Sequence, residues 1–160
     1  MTERDSQRAA VYAAEELIRG LFEHAAGGRT VDVLGVPLTL PPEVRFGSTA
    51  SVQAYVDRVL PPGQVRVRSR AGAAGAHYER GAGRVPTIAV PDGRDGAWAL
   101  RELVILHELA HHLVAESDGD AAAHGGVFTA AFVDLAARVM GPEAGLALRI
   151  VYTESGVAVG

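Results

Sequence analysis

Apolar residues recur at helical spacing over two segments in the first half of the chain. From about Asp5 to Ala25 they fall three and four residues apart, which is typical of an amphipathic helix, and Gly27-Gly28 is predicted to close it. The segment STASVQAYVDRVL opens with residues suited to a helix cap and stops at Pro61-Pro62. We therefore predict two helices before residue 63.

Helical spacing returns in the second half of the chain. A helix is predicted from Ala97 to about Glu116, with Asp95 near its start as a cap. A polar loop, SDGDAAAHGG, separates it from a last long helix between Gly126 and Met140. The closing segment GLALRIVYTESGVAV is compatible with a strand or with a helix that passes into a strand, and its pattern leaves both open.

Alternating and β-branched residues predict strands elsewhere. The segment TVDVLGVPLTLPPEVRF indicates one or two strands, broken at Pro37 and at Pro41-Pro42. Valine and arginine alternate in QVRVRSR, as in a half-exposed strand, so the basic run is interpreted as a solvated face. The apolar segment VPTIAVP has proline at both ends, which favours an edge strand over a central one.

The length limits the number of folding units. A chain of 160 residues is long enough to bury one core and lies in the size range of a single domain. With 48% hydrophobic and 21% charged residues, the composition is that of an ordinary globular protein. We therefore expect one domain spanning residues 1–160.

The charged residues and the missing residue types exclude several function classes. The net charge is −4, and the arginines are scattered apart from the run in QVRVRSR, so no concentrated basic face for nucleic acid is expected. Because cysteine is absent, a metal must be held by His, Asp or Glu. Lysine is also absent, which removes Schiff-base chemistry and a lysine-type phosphate loop.

The N-terminal stretch MTERDSQRAAVYAAEELIRG is interrupted by charges, unlike the apolar run of a signal peptide. No segment approaches the roughly 18 apolar residues of a membrane-spanning helix. We therefore expect no membrane partner, and a cytoplasmic location is the simplest expectation.

The strongest chemical signal is an H-E-x-x-H pattern in the apolar segment ALRELVILHELAHHLV. His107 and His111 are four residues apart, so on a helix both rings can reach one point on the same face. Glu108 is rotated by about 100° around the helix, too far to bind the metal directly but near enough to reach a water beside it. The motif predicts a two-histidine metal clamp with Glu108 as general base.

A catalytic zinc normally has three protein ligands and one open position. The candidates for the third ligand are Glu116, Asp118, Asp120, His124 and Asp134. We prefer His124, because it begins the last helix in line with the apolar stripe of that helix and is expected to point inward. Gly125-Gly126 would let backbone approach the site. Asp118 and Asp120 are interpreted as a solvated turn, with support of a ligand histidine as the alternative.

The remaining histidines and two tyrosines are assigned lesser roles. His112 is one helical step from His111 and is expected at the edge of the helix as a bystander, and His24 is expected on the surface. His77 and Tyr78 are candidates for stabilising an oxyanion, with ordinary loop or strand packing as the simpler interpretation. Tyr152 is a further candidate for that role.

The segment ALRELVILHELAHHL followed by HGGVF resembles the zincin metallopeptidases. It is similar in particular to a small family of actinobacterial metallohydrolases with H-E-x-x-H and a later His-Gly-x-x-Phe element, and that element also resembles the one in SprT-like proteases. The segments RFGS, YVDRVL, AHYE and MGPE extend the resemblance. It implies an α+β, zincin-like domain with a small mixed sheet, His124 as third ligand, and the edge strand TIAVP available to an extended substrate.

Two roles of related families do not carry over. Val114 and Ser117 stand where metzincins have a glycine and a third histidine. SprT-like proteases that act on DNA-linked protein usually add basic DNA-binding parts, and this acidic chain shows none.

The leading hypothesis is a zinc peptidase acting on a peptide or protein. Zn²⁺ bound by His107, His111 and His124 is expected to acidify a water and polarise the scissile carbonyl, while Glu108 carries the proton to the leaving amine. One alternative is a regulatory protease of the ImmA/IrrE type, whose HELAHH-like helices the motif also resembles and which acts on one partner repressor. The other is a non-enzymatic binding protein stabilised by zinc. Neither the substrate nor the oligomeric state follows from the sequence.

Overall fold

The computed structural model describes residues 5–26 and 28–160, which form an α+β fold with small sheets. The helices are α1 (Arg8–His24), α2 (Thr49–Val59), α3 (Glu102–Ser117), α4 (Gly126–Val139) and α5 (Pro142–Glu154), with a 3-10 helix, η1 (Arg94–Ala99). The strands are β1 (Thr30–Val33), β2 (Val36–Thr39), β3 (Arg66–Arg70), β4 (His77–Glu79) and β5 (Thr87–Pro91). The predicted fold class is confirmed at this level, and its likeness to zincins stays a prediction.

The described residues form two compact units: those up to 43 together with 113–160 make the first, and residues 44–112 make the second. The single domain expected over residues 1–160 stays a prediction. Within the described ranges, no helix has both the length and the apolar character needed to cross a bilayer. The predicted closure of α1 at Gly27 lies outside the described residues, and Gly28 adopts a φ of +81° just beyond it.

The first unit is built from α1, α4, α5 and the hairpin of β1 and β2. The buried apolar residues of α1 are Val11, Ala14, Ile18 and Phe22, at the helical spacing that predicted them. Helix α4 buries Phe128, Phe132 and Leu135, and α5 buries Leu148, Val151 and Tyr152. The closing segment, which the sequence left undecided, is helical as far as Glu154 and belongs to α5, a helix that starts with Pro142.

The hairpin turns at Leu34 and Gly35, both with positive φ, and not at Pro37, where a break was predicted. Pro37 lies inside β2 opposite Asp32. Antiparallel pairs alternate between hydrogen-bonded and non-hydrogen-bonded, and in a two-residue hairpin the pair flanking the turn is bonded. Pro37 is in the next pair, so its missing N–H removes no ladder bond, and the strand continues to Thr39 before Pro41-Pro42.

The second unit contains a mixed sheet with the order β3-β5-β4. β5 pairs parallel with β3 and antiparallel with β4, so the prediction that TIAVP is an edge strand is wrong. Its prolines do not prevent this, because Pro86 precedes the strand and Pro91 is its last residue. The outer strands are β3 and β4.

Helix α2 covers the outer edge of β3 with one side chain. Its N-cap is Ser48, which forms a capping box with Ser51, as the Ser-Thr start of the segment predicted. The amide of Gln53 then accepts from the N–H of Val67 at 2.7 Å and donates to the carbonyl of Val65 at 3.0 Å. These bonds occupy backbone groups that the sheet leaves unpaired.

Helix α3 begins at Glu102, five residues later than predicted, and Asp95 lies in the first turn of η1 and does not cap α3. The start is set by the segment 44–46. Glu102 donates its N–H to the carbonyl of Val44 at 2.9 Å and accepts the N–H of Val44 with its carboxylate at 3.1 Å. The hydroxyl of Tyr55 also donates to this buried carboxylate. These contacts fix the first turn of the helix that carries the H-E-x-x-H pattern.

Candidate metal centre

Helix α3 brings His107 and His111 together as the four-residue spacing predicted. Their Nε2 atoms are 3.1 Å apart, and the rings meet edge to face with centroids 4.9 Å apart. His107 is buried and His111 is half-buried. Two histidine nitrogens therefore face the same point from consecutive turns.

Glu108 lies beside this pair without joining it. Its side chain is buried, and Oε1 is 4.0 Å from Nε2 of His107. At that separation the carboxylate does not contact the imidazole nitrogen directly. It is close enough to reach a small molecule bound next to that nitrogen. The role of Glu108 as a general base stays a prediction.

His124 is held in the first unit by three side chains around its ring. Nδ1 is 2.8 Å from Oδ2 of Asp5, and the rings of Tyr12 and Phe128 have centroids 5.1 and 5.2 Å away. In the neutral form of this ring, Nδ1–H donates to the carboxylate of Asp5 and the lone pair is on Nε2. His124 is buried, as predicted, although α4 begins only at Gly126, with Gly125 as its N-cap.

The three histidines form one group. His107, His111 and His124 each offer a ring nitrogen, and these nitrogens all lie within 4.8 Å of one another. The acidic candidates for the third ligand, Glu116, Asp118, Asp120 and Asp134, are all exposed. Gly126 does allow a close approach of backbone, but the neighbour is the backbone of Gly160, to which it is hydrogen-bonded, and not the histidine group.

Two residues near the N-terminus belong to this site and were not predicted. Asp5 binds the ring of His124, and the side chain of Gln7 donates to the carbonyl of His124 at 3.1 Å. Gln7 also accepts from the N–H of Ala158. More than a hundred residues separate these partners in the sequence, so no local pattern indicated the contacts.

His112 is not at the helix edge, as was predicted, because its side chain is fully buried. Its Nδ1 lies 3.0 Å from the hydroxyl of Tyr78 on β4, and the two rings pack edge to face. His112 thus joins α3 to the sheet.

Tyr78 remains a candidate for stabilising an oxyanion, and His24 is exposed as expected.

The other two oxyanion candidates are placed less favourably. His77 lies on the solvent face of the sheet, between Arg70 and the carboxylate of Glu79. Tyr152 is fully buried in the first unit, where burial and the negative charge of Glu15 hold the pKa of its hydroxyl well above 10. A neighbouring negative charge disfavours an oxyanion at this position.

No protein-family model, curated protein or solved structure matches the chain. The resemblance to zincins therefore stays a prediction, carried mainly by the H-E-x-x-H and His-Gly-x-x-Phe segments.

Proposed function

We propose that the protein is a zinc-dependent hydrolase that cleaves peptide bonds in a peptide or protein substrate. The observation that carries this proposal is the group of three histidine nitrogens within 4.8 Å of one another. The buried carboxylate of Glu108, 4.0 Å from Nε2 of His107, adds a base at the right distance.

The donor set fits zinc. Three neutral imidazoles are a common ligand set for catalytic zinc, with Zn–N distances of about 2.0–2.1 Å. Two nitrogens at that distance on a tetrahedral ion lie about 3.3 Å apart. The separation of 3.1 Å between His107 and His111 is close to this value. For His124, the hydrogen bond from Nδ1 to Asp5 leaves Nε2 as the ligand atom.

The chemistry divides between the histidines and Glu108. When bound, the metal supplies Lewis acidity toward a carbonyl oxygen and lowers the pKa of a water. Glu108 takes a proton from the attacking water and delivers it to the nitrogen of the amine that leaves. Burial of Glu108 keeps the surrounding dielectric low, which strengthens its interaction with the developing charge.

An extended substrate would pair with β4 in this proposal, and not with β5. β4 is an outer strand, and Tyr78 in its centre contacts His112 on α3. A peptide added to β4 would therefore run beside the helix that carries Glu108.

The first test separates metal binding from turnover. The full chain is loaded with zinc and dialysed, and its zinc content and its hydrolysis of fluorogenic peptides are measured. Glu108→Gln should keep its zinc and lose at least about 100-fold in rate, because only the base is removed. His107→Ala should lose both, and His24→Ala, at an exposed histidine of α1, should lose neither.

Full turnover by Glu108→Gln would contradict the mechanism. If His107→Ala retains zinc at the parent affinity, the metal centre itself is wrong. Unchanged zinc affinity in His124→Ala would leave the pair on α3 in place and require another third ligand.

A further inference from the structure

A cavity of about 810 Å³ in the unit of residues 44–112 has four arginines among its eight described lining residues. Arg66 and Arg68 come from β3, and Arg80 and Arg84 come from the turn between β4 and β5. Glu79 is the single carboxylate among the described lining residues, and Thr87 also lines the cavity. We call this cavity the arginine pocket.

The strand register places the arginine pocket on the face of the sheet opposite α3. Arg66, Thr87 and Glu79 are paired across the three strands, so their side chains share one face. Tyr78, the neighbour of Glu79, contacts His112 on α3, and successive residues of a strand point to opposite faces. The arginine pocket is therefore separate from His107 and His111.

The carboxylate of Glu79 in the pocket is already bound by neighbouring side chains. Glu79 accepts two hydrogen bonds from Arg68 and a third contact, at 2.7 Å, from Nε2 of His77. The guanidinium of Arg68 is the main cause of the lowered pKa of Glu79. Arg66 and Arg84 are exposed and make no ion pair with any residue that the structure describes. The arginine pocket thus carries positive charge beyond what Glu79 neutralises.

We propose that the arginine pocket binds the carboxylates of an acidic polypeptide segment. Guanidinium groups bind carboxylates in bidentate fashion. Arg66 and Arg84 supply the two guanidinium groups for this contact, because Arg68 is already paired with Glu79.

A nucleic acid fits this surface less well. Apart from the run in QVRVRSR the arginines are scattered along the sequence, so no long basic track for a continuous phosphate backbone is expected. None of the described lining residues is aromatic, so bases find no stacking partner there. The acidic polypeptide is therefore the partner class to which the chemistry points.

The inference deepens the proposed function in one respect. If the protein is a peptidase, the acidic segment is part of its substrate, and the arginine pocket contributes to substrate selectivity. Only this statement about selectivity rests on the proposed function. Binding itself needs neither the histidine group nor Glu108, because the arginine pocket lies on the other face of the sheet.

The test measures binding without turnover. A fluorescein-labelled peptide with glutamate at alternate positions, and a matched glutamine peptide, are titrated with the full chain in the presence of a chelator, and anisotropy is followed at low and high salt. The double variant Arg66→Gln/Arg84→Gln should bind the acidic peptide about tenfold more weakly, since two ion pairs are lost. The control Arg138→Gln/Arg149→Gln removes the same charge from exposed helix positions and should change the dissociation constant less than about twofold.

Weak binding of the glutamine peptide and loss of binding at high salt would support the proposal. Equal losses in the two double variants would overturn it, because net charge alone would then explain binding. Displacement of the acidic peptide by inorganic phosphate or an oligonucleotide at lower concentration than by unlabelled acidic peptide would also overturn it. The chelator keeps these outcomes independent of any failure of the peptidase test.

Discussion

At the scale of single residues, the orientation of His124 depends on a carboxylate from the N-terminal segment. Asp5 accepts the Nδ1–H of His124, while Tyr12 and Phe128 pack against the ring. A carboxylate in this position selects the tautomer of a ligand histidine, fixes its ring plane and raises the basicity of the ligand nitrogen. Asp5 is therefore a positioning residue for the proposed metal centre.

Replacing Asp5 tests this role. Asp5→Asn removes the negative charge that favours the Nδ1–H tautomer, and we expect zinc affinity to fall by about 10–100-fold. Competition with a chromophoric chelator measures the affinity directly. Asp134→Asn, at an exposed position of α4, is the matched control and should bind zinc as the parent does. Parent-like affinity in both variants would mean that Asp5 does not orient a ligand.

The residues of the candidate site differ in how far the sequence could predict them. His107, Glu108 and His111 lie within five residues, so helical geometry alone sets which of them share a face. The burial of His112 depends on Tyr78 from a strand, and the partner of His124 is Asp5. Such contacts join distant parts of the chain, and no spacing rule encodes them.

At the scale of helices and strands, local sequence patterns predicted where the elements lie better than they predicted which elements pair or pack together. The apolar stripes of α1 and α4 and the capped start of α2 follow from spacing and capping residues. The central position of β5 in the sheet does not follow from a local pattern. Proline at the end of a strand is tolerated in a central strand of the sheet as well as in an edge strand. The start of α3 was likewise set by pairing with residues 44–46, which a local pattern does not contain.

The packing of α5 on α4 gives a prediction at this scale. A Cβ at Gly145 would lie 2.6 Å from Cβ of Ala137 and 3.0 Å from the carbonyl oxygen of Val133. In an open helix, alanine is more stable than glycine by about 0.5–1 kcal/mol. At Gly145 the overlap outweighs this gain, so Gly145→Ala should lower the free energy of unfolding by about 1–3 kcal/mol. Urea denaturation measures the difference.

Gly20 in α1 is the matched control. Nothing lies within 4 Å of a Cβ built at this exposed position, so Gly20→Ala should raise the free energy of unfolding by about 0.5–1 kcal/mol. Opposite signs for the two substitutions are expected. If Gly145→Ala stabilises the protein as well, the contact between α4 and α5 is looser than these distances indicate.

At the scale of the whole molecule, Tyr152 links stability to high pH. Its pKa is raised in the folded state above the ordinary value of 10.0, chiefly by burial. The unfolded chain therefore loses this proton near pH 10 while the folded chain keeps it. The contribution is fully present below about pH 10 and is lost as the pH rises from there toward the folded-state pKa, at up to about 1.4 kcal/mol per pH unit.

The free energy of unfolding, measured between pH 8 and 11, should thus decline less steeply in Tyr152→Phe than in the parent. Tyr12→Phe replaces an exposed tyrosine and should keep the decline of the parent. Identical slopes in the parent and in Tyr152→Phe would show that the hydroxyl ionises as readily in the folded state as in the unfolded one.

The central place of β5 also has a consequence for the order of folding. During synthesis β3 and β4 emerge first, yet each of them pairs with β5, so this sheet cannot assemble until residues 87–91 have left the ribosome. β4 and β5 are antiparallel and separated only by residues 80–86, which favours their early pairing as a hairpin. β3 must then join in parallel across a longer loop, at a greater cost in chain entropy. Until that step, the backbone groups of β3 that pair with β5 in the folded sheet have no strand partner.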